Sequence, residues 1–147
     1  MADSQIDLNR LEAAVRAAWS KETSSTPEEW SPRNPERGQC AVTACVVQDY
    51  IGGDVVWYSA LRPDRIVESH YFNRMPGAFA QFEFCRGTEY DFTRLQFPLG
   101  TVIGEGGERK PGVDTKAYVL DNEATRNRYW LLRERVTKLL GDDNVKP

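Results

Sequence analysis

Apolar residues recur at three- and four-residue intervals near both ends of the chain, as they do in amphipathic helices. The first stripe predicts a helix over residues 6–20, and the second predicts a helix over residues 121–141. The stripes consist of Leu8, Leu11, Val15 and Trp19 in the first segment, and of Tyr129, Leu132, Val136 and Leu139 in the second. Each helix is therefore expected to bury one face against the rest of the fold.

A third helix is predicted over residues 41–51, where nearly every position is apolar, which is typical of a helix buried on all sides. Gly52 and Gly53 follow this run and favour its end, because glycine readily adopts the left-handed conformation that terminates helices. The preceding segment, 20–38, is polar and contains three prolines. Because Trp30 lies in its middle, this long connection is interpreted as an ordered loop laid over the fold.

The middle of the chain is rich in aromatic and β-branched residues, which is typical of strands. Strands are predicted over residues 54–61, 67–75, 79–85 and 88–93. The glycine-rich segment 100–114 lacks the spacing of a phosphate-binding motif and is predicted to be a mobile surface loop. A buried helix, a largely antiparallel sheet and a helix near each end predict a single α+β domain over residues 1–147.

Composition and charge exclude several classes of protein. The 147 residues carry a net charge of −3 with both signs interspersed, which argues against a nucleic-acid partner or an anionic membrane surface. No apolar stretch is long enough for a membrane span and no signal-peptide pattern is present, so a cytoplasmic location is expected. Three cysteines without a disulfide-framework spacing indicate reduced thiols. With a single histidine, no metal site is predicted, and no organic cofactor is implied.

Cys40 lies where the buried helix is predicted to begin, directly after the polar loop. The positive end of a helix and its free N–H groups favour a thiolate, and they could also receive a developing oxyanion. The plainer interpretation is a small apolar residue at a buried position. Gln39 or the Trp30 indole could donate to the same oxyanion, although a capping amide and a loop anchor are the simpler roles. Cys45 and Cys85 lie inside apolar runs and are interpreted as packing residues.

A cysteine nucleophile needs a base, and His70, in the second predicted strand, is the only histidine of the chain. A third group should orient the imidazole through its other nitrogen. Asp91 is the candidate for this role, and Asn73 is the alternative. Cysteine at a helix start, followed by histidine and aspartate on later strands, is the order found in papain-like folds of the transglutaminase type.

The Gly-Gln-Cys sequence at residues 38–40 looks like the nucleophile motif of transglutaminases. The longer pattern over residues 19–97, with "GQCAVTACVVQDYIGG", "SHYFNR" and "YDFTRLQF", resembles the YunG-like family of small bacterial proteins. This resemblance implies a papain- or transglutaminase-like fold in which Cys40 is the nucleophile, His70 the base and Asp91 the orienting group. It implies no substrate.

Residues 76–87 depart from the expected pattern, in which the histidine strand turns directly into the aspartate strand. An extra strand in this segment would separate His70 from Asp91 by about two strand spacings, roughly 9–10 Å. A protruding insertion would leave the two residues adjacent. The insertion is favoured because the "SHYFNR" and "YDFTRLQF" motifs on its two sides are both intact.

These patterns predict acyl transfer through a thioester on Cys40, by hydrolysis, deamidation or transamidation of a peptide or small amide substrate. Two alternatives stay open. One is a binding module that keeps the fold without turnover, and the other is a complex-forming protein whose interface includes Trp57, Tyr58 and Phe79. The sequence leaves the substrate, the acyl acceptor and the oligomeric state undetermined.

Overall fold

A computed structural model describes residues 7–75, 88–104 and 106–141. Its helices are α1 (Leu8–Ala18), α2 (Cys40–Ile51), α3 (Thr115–Leu120) and α4 (Glu123–Leu140). Its strands are β1 (Asp54–Leu61), β2 (Val67–Met75), β3 (Thr88–Tyr90) and β4 (Val102–Ile103). This part of the chain therefore has the predicted α+β class. None of its helices is both long and apolar enough to cross a membrane.

The strands form one antiparallel sheet in the order β3-β2-β1-β4. β1 pairs with β2 along its whole length, with Tyr58 opposite His70. β3 pairs directly with the end of β2, with Asn73 opposite Tyr90. No strand lies between β2 and β3 in the sheet, so His70 stays close to the residue that follows β3. The segment 76–87, with the predicted strand 79–85, lies outside the described residues.

The core is built around α2, which packs against β2 and α4, while α1 packs against α4. Its fully buried side chains include Leu11, Val15, Val46, Val47, Leu132 and Val136. Burying an aliphatic side chain of this size contributes about 1.5–3 kcal/mol to the free energy of unfolding. α2 is apolar on nearly all sides because it lies between the sheet and the other helices, as the sequence predicts.

The helices near the chain ends differ from the prediction in their limits. α1 begins after Asp7, whose carboxylate accepts a hydrogen bond from the first turn and acts as the N-cap. α3 was not predicted, because six residues are too few to show a helical period. Its N-cap is Asp114, and Asn122 caps the separate α4. On α4, Leu139 was predicted to be buried but is 55% exposed, whereas Leu140 is buried.

The predicted strand over residues 88–93 is shorter in the structure, since β3 ends at Tyr90. Asp91 Oδ1 accepts a hydrogen bond from the Thr93 backbone N–H at 3.2 Å, which turns the chain away from the sheet. Local side-chain to backbone bonds of this kind compete with strand pairing. The turn leaves Asp91 at the exact end of β3, rather than within a strand.

The predicted loop 100–114 contains β4 and a further contact with the sheet. Gly107 exchanges two backbone hydrogen bonds with Trp57, at 2.8 and 2.9 Å. The Trp57 ring also lies 5.1 Å from the Arg109 guanidinium, in a cation–π contact. Trp57 is thus half-buried against this segment, while Phe79, the other end of the predicted aromatic interface, lies outside the described residues.

Candidate active site

Cys40 is the first residue of α2 and is half-buried. Gly38, two residues earlier, has a φ of 77°, and a Cβ atom there would lie 2.3 Å from Ser24 Oγ. Glycine is therefore the residue that fits this turn. α2 begins without a side-chain cap, since the Gln39 amide makes no hydrogen bond to the helix. The thiol therefore lies beside N–H groups that have no partner within the helix.

Gln39 and Trp30 both anchor the polar loop that precedes Cys40. The Gln39 side chain is fully buried; its oxygen accepts from Thr23 Oγ1 at 2.8 Å, and its nitrogen donates to the Ser20 carbonyl at 3.0 Å. The Trp30 indole N–H donates to the Pro35 carbonyl at 3.0 Å. These bonds agree with anchoring roles, and the role of either side chain as an oxyanion donor stays a prediction.

His70, on β2, is fully buried and lies between a carboxylate and two aromatic rings. Its Nε2 is 2.6 Å from Asp91 Oδ2. The centroid of its ring lies 5.4 Å from that of Phe72 and 5.1 Å from that of Phe97, which meets it edge-on. Sequence reasoning missed Phe97 as a site residue, although it is the last residue of the "YDFTRLQF" motif. The rings shield the imidazole of His70 from solvent, whereas the Asp91 side chain stays partly exposed.

The electrostatic surroundings of His70 favour its charged form. Burial lowers the pKa of His70, but the Asp91 carboxylate and the Cys40 side chain raise it, and together they bring it to about 9. Nδ1 is buried without a hydrogen-bond partner among the described residues. Asp91 thus occupies one ring nitrogen, and the Cys40 side chain also raises the pKa of the ring.

The two cysteines that the structure describes have very different surroundings. The Cys40 thiol lies 3.9 Å from the Ser69 carbonyl oxygen, on the residue just before His70. Cys45 is fully buried, and burial raises its pKa to about 12, which agrees with a packing role. Cys85 lies outside the described residues. Of the two, Cys40 is the thiol that combines partial exposure with proximity to His70.

Asn73, the alternative orienting group, points its amide at the central helix. Its Nδ2 donates to the Ala44 carbonyl on α2 at 2.8 Å, and the residue is 3% exposed. This bond ties β2 to α2. Asp91, and not Asn73, therefore contacts the imidazole of His70 in this structure.

Two buried polar side chains join the loop before Cys40 to the segment after Asp91. Glu36 accepts from Arg16 at 2.8 Å and from the Leu95 backbone N–H at 2.9 Å. Gln96 Oε1 accepts from the Gly38 backbone N–H at 3.3 Å. Sequence reasoning missed both residues, because nothing in the pattern separates a buried polar side chain from the many exposed ones. They fix the distance between the elements that carry the thiol and the carboxylate.

A cleft of about 850 Å³ opens beside Cys40. One wall is formed by the start of α2 and by β2, through Ser69 and Tyr71, and the other by α3 and α4, including Tyr118 and Arg128. Its size suits a small molecule or a short peptide segment. Among residues 7–75, 88–104 and 106–141, no group of three His, Cys, Asp or Glu side chains is arranged to hold a metal ion.

Comparison with known proteins identifies the family of this chain. The family model described as "YunG protein" matches residues 7–141. The chain belongs to the YunG family. It is 32% identical over 91 residues to "Uncharacterized protein YunG" of Bacillus subtilis (strain 168), and the alignment covers 61% of this chain and 63% of that relative. The chain thus matches less than two thirds of that YunG protein. No solved structure matches the chain significantly.

Proposed function

We propose that this YunG-family chain is a cysteine-dependent acyl-transfer enzyme whose Cys40, His70 and Asp91 act as a papain- or transglutaminase-like triad. The observation that carries the proposal is the buried His70 ring, whose Nε2 lies 2.6 Å from Asp91 Oδ2. The Cys40 side chain raises the pKa of the same ring. A nucleophile, a base and a group that orients the base are the parts that such a reaction requires.

The imidazolium that the raised pKa of His70 favours already holds the thiol proton at Nδ1, and the reaction begins when Cys40 Sγ attacks the carbonyl carbon of an amide. The N–H groups at the uncapped start of α2 receive the negative charge on the carbonyl oxygen. The C–N bond then breaks, the imidazolium gives its proton to the leaving amine, and a thioester is left on Cys40. Attack by water gives hydrolysis or deamidation, attack by an amine gives transamidation, and His70 returns the attacker's proton to sulfur.

The order of the elements supports the likeness to papain-type enzymes. The thiol begins a buried helix, the histidine follows on β2, and the aspartate comes directly after the neighbouring β3. A peptide or small amide is the proposed substrate class. Because the reaction needs a reduced thiol, the proposal includes the cytoplasmic location expected from the sequence.

The proposal is tested by labelling the folded protein with iodoacetamide at about pH 6, where an ordinary thiol is almost wholly protonated. Mass spectrometry of the peptides reports the rate at each cysteine. Cys40 should label fastest of the three, and His70→Ala should slow it at least about tenfold, which is about 1.4 kcal/mol in activation free energy. Asn73→Ala, three residues further along β2 and with its amide bonded to the Ala44 carbonyl, is the matched control and should retain fast labelling. Equal rates in wild type and His70→Ala would rule out the dyad.

A complex-forming module is the second candidate function. Exposed apolar side chains lie side by side at one end of the sheet, where Leu61 is paired with both Val67 and Val102. Large contiguous patches of exposed apolar surface are typical of protein–protein interaction sites. Labelling of Cys40 that is independent of His70 would favour this function over catalysis.

A further inference from the structure

Arg128, on α4, lines the same cleft as Cys40 and is half-buried. Its Nη2 donates to Thr125 Oγ1 at 3.0 Å, and its Nε is buried without an acceptor among residues 7–75, 88–104 and 106–141. Burial lowers the pKa of Arg128, and no carboxylate among the described residues compensates for it. The cleft therefore contains a partly desolvated cation that has a hydroxyl partner but no counter-ion in the described part of the chain.

Other arginines near the site are paired with carboxylates. Arg37 lies 2.7 Å from Glu29 and 2.9 Å from Glu68, and Arg62 lies 3.0 Å from Glu68. A partly buried charge is unfavourable unless it is paired. Arg128 has no such partner within the described chain, so a ligand that supplies a negative charge would lower the free-energy cost of burying its guanidinium.

The other charges of the cleft limit what this ligand can be. Glu68 is compensated by Arg37 and Arg62, as its contacts show. Asp121 and Glu123 also line the cleft, and both are exposed to solvent, which screens them. They would repel a dianion such as a phosphate monoester more strongly than a monoanion. The planar guanidinium matches a carboxylate, which it can bind through two parallel hydrogen bonds.

We propose that Arg128 binds a carboxylate of the acyl substrate, so that the cleft accepts amides that carry a free carboxylate close to the reacting bond. Acylated amino acids and the C-terminal residue of a peptide share this chemistry. That the amide bond of this ligand reacts in the cleft rests on the proposed function. The binding of the carboxylate is a property of the cleft that can be measured without any reaction.

The test is an NMR titration of the full chain with N-acetylglycine and with its neutral analogue N-acetylglycinamide at equal ionic strength. Every protein in the titration carries Cys40→Ser so that neither amide is turned over, and wild type here means the chain with Arg128 intact. Backbone amide shifts at the cleft report binding. Wild type should bind N-acetylglycine at least about tenfold more tightly than the neutral amide, as expected for hydrogen bonds to a charged partner. Arg128→Gln should abolish this difference. Lys138→Gln, which removes the same charge from an exposed position of α4, should preserve it.

Equal affinity of wild type and Arg128→Gln for N-acetylglycine would overturn the inference, and so would equal affinity of wild type for the two ligands. Should Arg128→Gln fail to fold, Arg128→Lys keeps the charge but loses the planar fork. Binding of N-acetylglycine should then weaken, and unchanged affinity would overturn the inference. The titration does not involve the thiol, so slow labelling of Cys40 would count against the catalytic proposal alone.

Discussion

Substituting Asp91 by asparagine isolates the charge that faces His70, because the side chain keeps its size and loses its negative charge. The two groups lie 2.6 Å apart, and the side chains are 1% exposed for His70 and 23% exposed for Asp91. The surroundings raise the pKa of His70 from its ordinary 6.5 to about 9. Since each tenfold change in an equilibrium constant is worth about 1.4 kcal/mol, this rise corresponds to about 3 kcal/mol in favour of the imidazolium.

In Asp91→Asn, burial continues to oppose the charge while its main partner is lost. Hydrogen bonds to charged groups contribute about 1.5–3 kcal/mol, so Asp91 accounts for a large part of the rise. We expect the pKa of His70 to fall by at least about 1.5 in this variant. A fall of this size brings the pKa to about 7.5 or below, so a substantial fraction of the imidazole would be neutral near neutral pH and Cys40 would lose part of the positive charge beside it.

The single histidine of the chain makes the measurement direct, because protein with ¹³C-labelled histidine gives one ring signal. Its chemical shift is followed between about pH 5 and 10, a range that spans both expected midpoints. Glu89→Gln is the matched control: it removes a carboxylate two residues away that pairs with Arg74. A midpoint in Asp91→Asn within about 0.5 of wild type would refute the claim that Asp91 controls this protonation.

Two further predictions concern stability. Because the pKa of His70 is raised on folding, its contribution to the free energy of unfolding should be complete below about pH 6.5 and disappear as the pH rises through about 9. The free energy of unfolding should therefore fall by up to about 3 kcal/mol over this range. Urea unfolding should show this fall in wild type and not in His70→Gln. Asn73→Ala should lower the free energy of unfolding by about 1–3 kcal/mol, since it removes a buried bond to α2, yet leave the NMR midpoint of His70 unchanged. A shifted midpoint would assign Asn73 part of the orienting role.

The elements that the sequence predicted well are those with a long apolar repeat or with many residue types that favour strands. α1, α2 and α4 have long apolar patterns, and β1 and β2 are rich in aromatic and β-branched residues. α3 and β4 are too short for a period to appear, and β4 exists only because Val102 and Ile103 meet the end of β1. Short elements of this kind depend on tertiary contacts.

The residues of the candidate site divide in the same way. Cys40 and His70 stood out because a helix start and a lone histidine are visible in the sequence. Glu36 and Gln96 did not, because their partners lie far away along the chain. Arg128 did not either, because only the cleft that it lines distinguishes it from the other arginines. A contact between two polar residues that are far apart along the chain is visible in the structure but leaves no pattern in the sequence.

The position of the acid depends on the register of a very short pairing. β3 meets β2 through three pairs, of which the last sets Tyr90 opposite Asn73 and so brings Asp91 beside His70. A slip of one residue would displace Asp91 by about 3.3 Å and turn its side chain to the other face. Three pairs alone specify register weakly, but the following segment is also bonded to the loop before Cys40 through Leu95 and Gln96. The contacts that fix the carboxylate therefore also fix the thiol, so a change in either segment should disturb both ends of the proposed triad together.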